Sequence, residues 1–378
     1  MTTSSQNHHG GDRPAGAENA AARWRRFSWS FAGVAAVSAA ALFGFTVAMD
    51  PYGVFASPQR PPTAIMDINQ RYMYPQVARS GRFDSAIFGT STMRLVDPQR
   101  LDAAVGGRFA NLAMNAATPW EQMQLAGLFL LNTPRPKALV FGVDRHWCDA
   151  DADDEKKKVT FRSFPPWLYD GDRAFDFIHM FDFRSLEIAV RVAANRLGLM
   201  KERIRPDGYE VFTPPEDRYD LERARAHIWM KKPDVTPVEP PEPVTAQTRA
   251  SWRFPAVAWL AELLERTPEE TRVAVVFPPV HVAAQSRPGT VEAAREAACK
   301  QAIAATAFRH GGVVVDFRFP NPVTREDSNY WDSVHYRLPV AARLTDDLIR
   351  ALKGEPVADP EFAREKTPGA PRPGDGAG

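Results

Sequence analysis

The chain has 378 residues, of which 44% are apolar and 25% charged, and its net charge is +1. These values exclude a disordered or collagen-like chain, and the near-zero charge excludes a protein that holds nucleic acid or another polyanion through a strong field. Only Cys148 and Cys299 are cysteines, so a zinc-type cysteine cluster is excluded as well.

Single hydrophobic cores stop growing near ~250–300 residues, so one large domain with an insertion and loose ends is expected. Residues 1–26 form a leader rich in Ser, Gly, Asn, His and Ala, disordered by composition and on the cytoplasmic side. His8 and His9 belong to that leader rather than to a metal site. From Phe27 to Met49 no charge interrupts the chain. A helix rises ~1.5 Å per residue, so such a run crosses a ~30 Å hydrocarbon layer. Arg23, Arg25 and Arg26 precede it and Asp50 follows it. The positive-inside rule therefore puts everything after Asp50 outside the cytoplasm. A cleaved signal peptide has an apolar region of only ~7–15 residues; an uncleaved single-pass anchor in the inner membrane, residues 27–49, is the expectation, with a cut near Val54-Phe55-Ala56 as the alternative. Residues 50–80 read as a stalk.

Beyond residue 80 short apolar runs alternate with helical ones. Residues 84–88, 109–114, 138–143, 272–277 and 313–317 are expected strands; residues 119–131, 289–308 and 338–352 are expected helices. Strands that are apolar on both faces and alternate with helices argue a mostly parallel five-stranded sheet covered on both sides, an α/β domain over 81–352. Residues 150–252 break this rhythm. They hold a charged run, clustered aromatics, a helix near 181–197 and a proline-rich joint, and read as an insertion or cap on the ligand-binding edge of the sheet. Residues 353–378 read as a disordered tail.

In a parallel sheet, ligands bind beyond the carboxyl ends of the strands. After the first strand comes Gly89-Thr90-Ser91. A serine at such a sharp exit sits beside outward-pointing N–H groups, although a Ser or Thr there also serves as a plain helix cap. Between the fifth strand and the last helix comes Asp332-Ser333-Val334-His335. A carboxylate three residues before a histidine can accept from Nδ1–H, which fixes the tautomer and leaves Nε2 as general base for a serine hydroxyl. Ser91, Asp332 and His335 are the candidate catalytic residues. Asp144, Arg94, His146 and His281 are expected around the same pocket. Cys148 and Cys299 form either a disulfide, which an oxidising compartment allows, or two separate thiols. No metal or cofactor motif is visible.

These two blocks resemble those of the SGNH/GDSL-like hydrolase superfamily, in which Gly-x-Ser follows the first strand and Asp-x-x-His precedes the last helix. The likeness covers roughly residues 83–145 and 270–350. The chain is also similar to the membrane-anchored envelope branch, which includes alginate O-acetylation and lipoteichoic acid D-alanylation proteins. The resemblance implies a three-layer α/β/α, flavodoxin-like fold and an esterase or O-acyltransferase. It further implies a periplasmic site, an envelope polysaccharide or glycan as substrate and a membrane acyltransferase as partner. By the same resemblance the oxyanion hole takes the N–H groups of Ser91 and Ala116, with Asn115 as a further donor. The chain departs from the family at two places: Ala116 stands where glycine is usual, and Asp144 where an asparagine donates. An ionised Asp144 cannot donate and would repel an oxyanion. A catalytically inactive binding or assembly subunit of an envelope machine is therefore the alternative expectation.

Overall fold

The computed structural model describes residues 15–57, 59 and 62–367. The expectations for the first part of the leader, with His8 and His9, and for the end of the tail lie outside these residues. Residues from Ala15 onward are not a disordered leader: helix α1 (Ala15–Met49) starts well before the apolar run and carries it to its end. Its 35 residues span about 50 Å at the usual rise, and from Asn19 to Met49 it is long and apolar enough to cross a membrane.

The stalk expectation fails. Residues 50–80 belong to the domain: Tyr52, Val54, Met66, Met73, Tyr74 and Val77 are buried in the main core, and helix α2 (Gln70–Arg79) is buried along nearly its whole length. Asp50 makes the turn out of α1, accepting from the N–H groups of Val54 (2.7 Å) and Phe55 (3.1 Å).

Six strands among the described residues form one mixed sheet: β1 (Ser85–Phe88), β2 (Phe109–Asn111), β3 (Ala138–Gly142), β4 (Arg272–Phe277), β5 (Val313–Asp316) and β6 (Arg364–Lys366), in the order β2-β1-β3-β4-β5-β6. The first five run parallel, and β6 is antiparallel on the β5 edge. The five-stranded expectation is thus corrected by one strand, which comes from the segment expected to be a disordered tail. Arg364-Glu365-Lys366 lacks the apolar run of a central strand because an edge strand need not be buried on both faces.

Alternate residues of the strands feed two cores. Ala86, Phe88, Leu139, Phe141, Val275 and Phe277 face α2, α4 (Pro119–Asn132), α8 (Pro255–Glu265) and α9 (Val291–Arg309). Ile87, Val140, Ala274, Val276 and Val315 face α3 (Pro98–Val105), α6 (Leu221–Ile228) and α10 (Leu338–Leu352). This two-residue alternation is the strand period itself, with each face buried under helices. Helix α4 starts where the sequence demands it. Thr118 and Glu121 close a reciprocal capping box and Pro119 fills the first turn. The two cysteines are joined: a Cys148–Cys299 disulfide ties the exit of β3 to α9.

The insertion divides into two parts. Helix α5 (Phe183–Arg196) packs against α1, and Phe43 of α1 lies against the rings of Phe177 and Phe181 just before α5. The part from 205 to 233, with α6, lies instead over the carboxyl edge of the sheet, where it meets the loops described next. The short helix α7 (Ala246–Ala250) precedes α8.

Candidate active site

Strand order reverses between β1 and β3, because β2 is placed outside β1. Such a switch point opens a crevice beyond the carboxyl ends of the strands. A cleft of about 460 Å³ lies there, lined among others by Ser91, Ala116, Asp144, His146, Arg318 and His335.

The exit from β1 is tight. Gly89 has φ +153°, and a Cβ there would meet the Met93 side chain at 2.7 Å, a position only glycine fills. The following turn is held by Asn111 at the end of β2, whose side-chain amide donates to the carbonyls of Met93 and Val96, both at 2.9 Å. Tyr336, next to His335, donates its buried hydroxyl to the Thr92 carbonyl. This bond joins the serine turn to the histidine loop across most of the sequence.

The result is a continuous chain of hydrogen bonds. Asp332 Oδ2 lies 2.7 Å from His335 Nδ1, and His335 Nε2 lies 2.8 Å from Ser91 Oγ. A carboxylate only accepts, so Nδ1 carries the proton and Nε2 is left to accept from the serine hydroxyl. The other oxygen of Asp332 accepts from the N–H groups of Val334 (2.7 Å) and His335 (2.8 Å), which shapes the loop. Burial works against the charge of Asp332, yet the His335 ring and these two N–H groups outweigh it and hold the carboxyl below its ordinary value.

The loop after β2 is held from beneath. Arg71 and Glu121 form a fully buried ion pair, with Arg71 Nε 2.8 Å from Glu121 Oε1. Arg71 also donates to the carbonyls of Asn115 (3.1 Å) and Ala116 (3.4 Å). A trans peptide points its N–H opposite to its C=O. Drawing the Asn115 carbonyl inward therefore turns the Ala116 N–H outward, toward the cleft that Ala116 lines. Among the described residues neither this N–H nor that of Ser91 donates to another protein group. Ala116 has φ +50°, the left-handed region where glycine is at ease; the glycine-type turn forms here with alanine.

The remaining expected residues divide. Asp144 lines the cleft and accepts from the His146 N–H at 2.9 Å; it pairs with neither Arg94 nor Arg145. His146 lines the cleft at an exposed position, its basicity raised mainly by the Asp149 carboxylate at 3.1 Å. Arg94 does not line the cleft. It is buried under it, bonded to Asn115 Oδ1 at 2.8 Å and to Glu210 and stacked on Phe212. Asn115 likewise supports the turn instead of lining the cleft. His281 is fully buried and faces away: it lies between Trp229 and Tyr330, with its N–H on the Ser333 carbonyl. Burial lowers its basicity, ahead of an opposing effect from Asp327.

Sequence reading missed the part of the insertion that grips the site. Phe212 meets the His335 ring edge-on at 5.5 Å. Glu216 accepts from Arg337 Nε (2.8 Å) and the Leu338 N–H (3.2 Å), and Trp229 Nε1 donates to Asp327 (3.0 Å). Arg71, Glu121 and Tyr336 were missed as well; a buried ion pair between distant helices leaves no periodic signature, whereas Tyr336 was marked by its place beside His335. Compared as a whole with models of known families and with curated proteins, the chain matches none.

Proposed function

We propose that this protein is an acyl-transfer enzyme of the SGNH-like type, with Ser91 as nucleophile, His335 as general base and Asp332 as the group that orients the imidazole. The observation that carries this reading is the 2.8 Å contact between Ser91 Oγ and His335 Nε2, at the end of a chain that starts on Asp332. The parallel strand order 2-1-3-4-5 supports the flavodoxin-like assignment. In the reaction Ser91 Oγ attacks an ester carbonyl carbon while its proton passes to Nε2. The tetrahedral oxyanion meets the free N–H groups of Ser91 and Ala116. Collapse expels the alkoxide, which takes the proton from His335, and leaves an acyl-serine. Water or a sugar hydroxyl then attacks that ester by the same route, returning the serine. Water makes the protein an esterase; a sugar hydroxyl makes it an O-acyltransferase.

With α1 read as an anchor, the proposed location of this site is the periplasmic face of the inner membrane; the apolar length of α1 and the disulfide, which suits an oxidising compartment, support it. That location favours an envelope polysaccharide or glycan over a small cytosolic ester, with a membrane acyltransferase as the source of acyl groups. Full-length protein treated with a fluorophosphonate probe tests the chemistry. Covalent label at Ser91 is expected, lost in Ser91→Ala and His335→Ala. Folded protein that takes up no label would sink the reading. One observation favours a second reading, a glycan-binding assembly subunit without turnover: the carboxylate of Asp144 on the cleft wall, where a donor would serve an oxyanion better.

A further inference from the structure

Helix α5 has two apolar faces and only one of them is covered. Ser185, Ile188, Ala189 and Val192 point into the domain. Phe183, Val190 and, at the C-terminal cap, Leu197 are 82%, 53% and 74% exposed. They recur at seven-residue steps, which keeps them within about 40° of one line along the helix. The segments on either side extend the same character: Phe175, Ile178 and Phe181 precede the helix, Leu199 and Met200 follow it, and all are exposed. Soluble surfaces rarely gather so many large apolar side chains in one stretch.

What covers them is indicated by their neighbour. The other long stretch of exposed apolar residues is α1 itself, from Trp24 to Leu42. The two are continuous. Phe43 of α1 packs against the rings of Phe177 and, edge-on, Phe181, and Arg196 at the end of α5 donates to the carbonyl of Met49, the last residue of α1. Residues 175–200 carry three basic and three acidic side chains, so the segment adds no net charge that would bar it from a membrane surface. A stripe of large exposed apolar side chains, continuous with the end of a helix long and apolar enough to span, is the pattern of an element that lies in the lipid head-group region.

Taking α1 as the membrane anchor proposed above, we infer that residues 175–200 form a foot that inserts its apolar face into the bilayer beside the anchor. The catalytic domain then has two attachments, one spanning and one in the plane of the surface. It is held at a set height and tilt, and does not swing freely.

The native cysteines are tied to each other, so an introduced thiol takes a bimane label alone. Full-length Val190→Cys and Leu197→Cys, labelled and reconstituted into phosphatidylethanolamine–phosphatidylglycerol vesicles, are read for quenching by lipids brominated near the head group. Val34→Cys in α1 reports the anchor, and Lys353→Cys, exposed on the far face of the sheet, reports the solvent. Quenching at 190 and 197 several-fold above that at 353 supports the foot. Quenching at 34 with none at 190 or 197 overturns the foot and leaves the anchor standing. No quenching at 34 overturns the anchor reading itself. Interchain cross-linking through Val190→Cys, with no quenching at 190, overturns the foot in favour of a second copy of this chain as the occupant.

Discussion

On one side of the cleft, Ser91, His335 and Asp332 form a closed relay, with bonds of 2.8 and 2.7 Å and each loop locked by buried polar groups. On the other side, at the exits of β2 and β3, stand an alanine in a left-handed conformation and a carboxylate. The first side has what nucleophilic chemistry needs. The second has the backbone shape for holding an oxyanion but carries a charge of the wrong sign. The contrast shows that the two sides rest on different groups: one depends on side chains, the other on backbone N–H groups, of which Arg71 turns that of Ala116 outward.

The largest effect that would break this contrast comes from the relay. Asp332→Asn should slow fluorophosphonate labelling by about 10²- to 10⁴-fold, because the amide favours the wrong imidazole tautomer. Since the Asp332 carboxyl is held below the ordinary carboxylate range, it stays ionised wherever the imidazole is neutral, so the gap between wild type and Asp332→Asn should persist across that whole pH range; labelling rates of both proteins measured against pH check this. Unchanged labelling in Asp332→Asn would show that the relay is only structural. Next in size is Asp144→Asn. An asparagine oxygen can keep the bond to the His146 N–H while its NH₂ gains a donor, and labelling should rise by roughly 10-fold or more. No rise, in a folded variant, would mean that Asp144 does not face the developing charge. Smallest is Ala116→Gly. Relief of the left-handed strain, partly offset by the freer unfolded chain, should raise stability by about 0.5–1 kcal/mol in denaturant titrations in detergent. A loss of stability would show that the alanine methyl has a packing role.

Much of this was legible in the sequence because it rests on short-range rules. The five parallel strands show as apolar runs, since both of their faces are buried, and α10 falls on residues 338–352 as expected. Ser91, Asp332 and His335 were readable because their loops follow strands. Other parts were hidden for identifiable reasons. Helix α2, QRYMYPQVAR, looks polar, yet Arg71 and Gln70 are buried against partners far along the chain, Glu121 and Asn115. Strand β6 is written in charges. The inward turn of His281 and the grip of Glu210, Phe212 and Glu216 on the site depend on how the insertion folds back, which no local pattern encodes.

The disulfide closes a covalent ring around everything between residues 148 and 299, a separation of 151 that includes the whole insertion and β4. A protease that nicks an exposed loop inside this ring produces two pieces that still migrate as one molecule until a reductant is added. Wear on the surface loops is thus uncoupled from loss of the polypeptide.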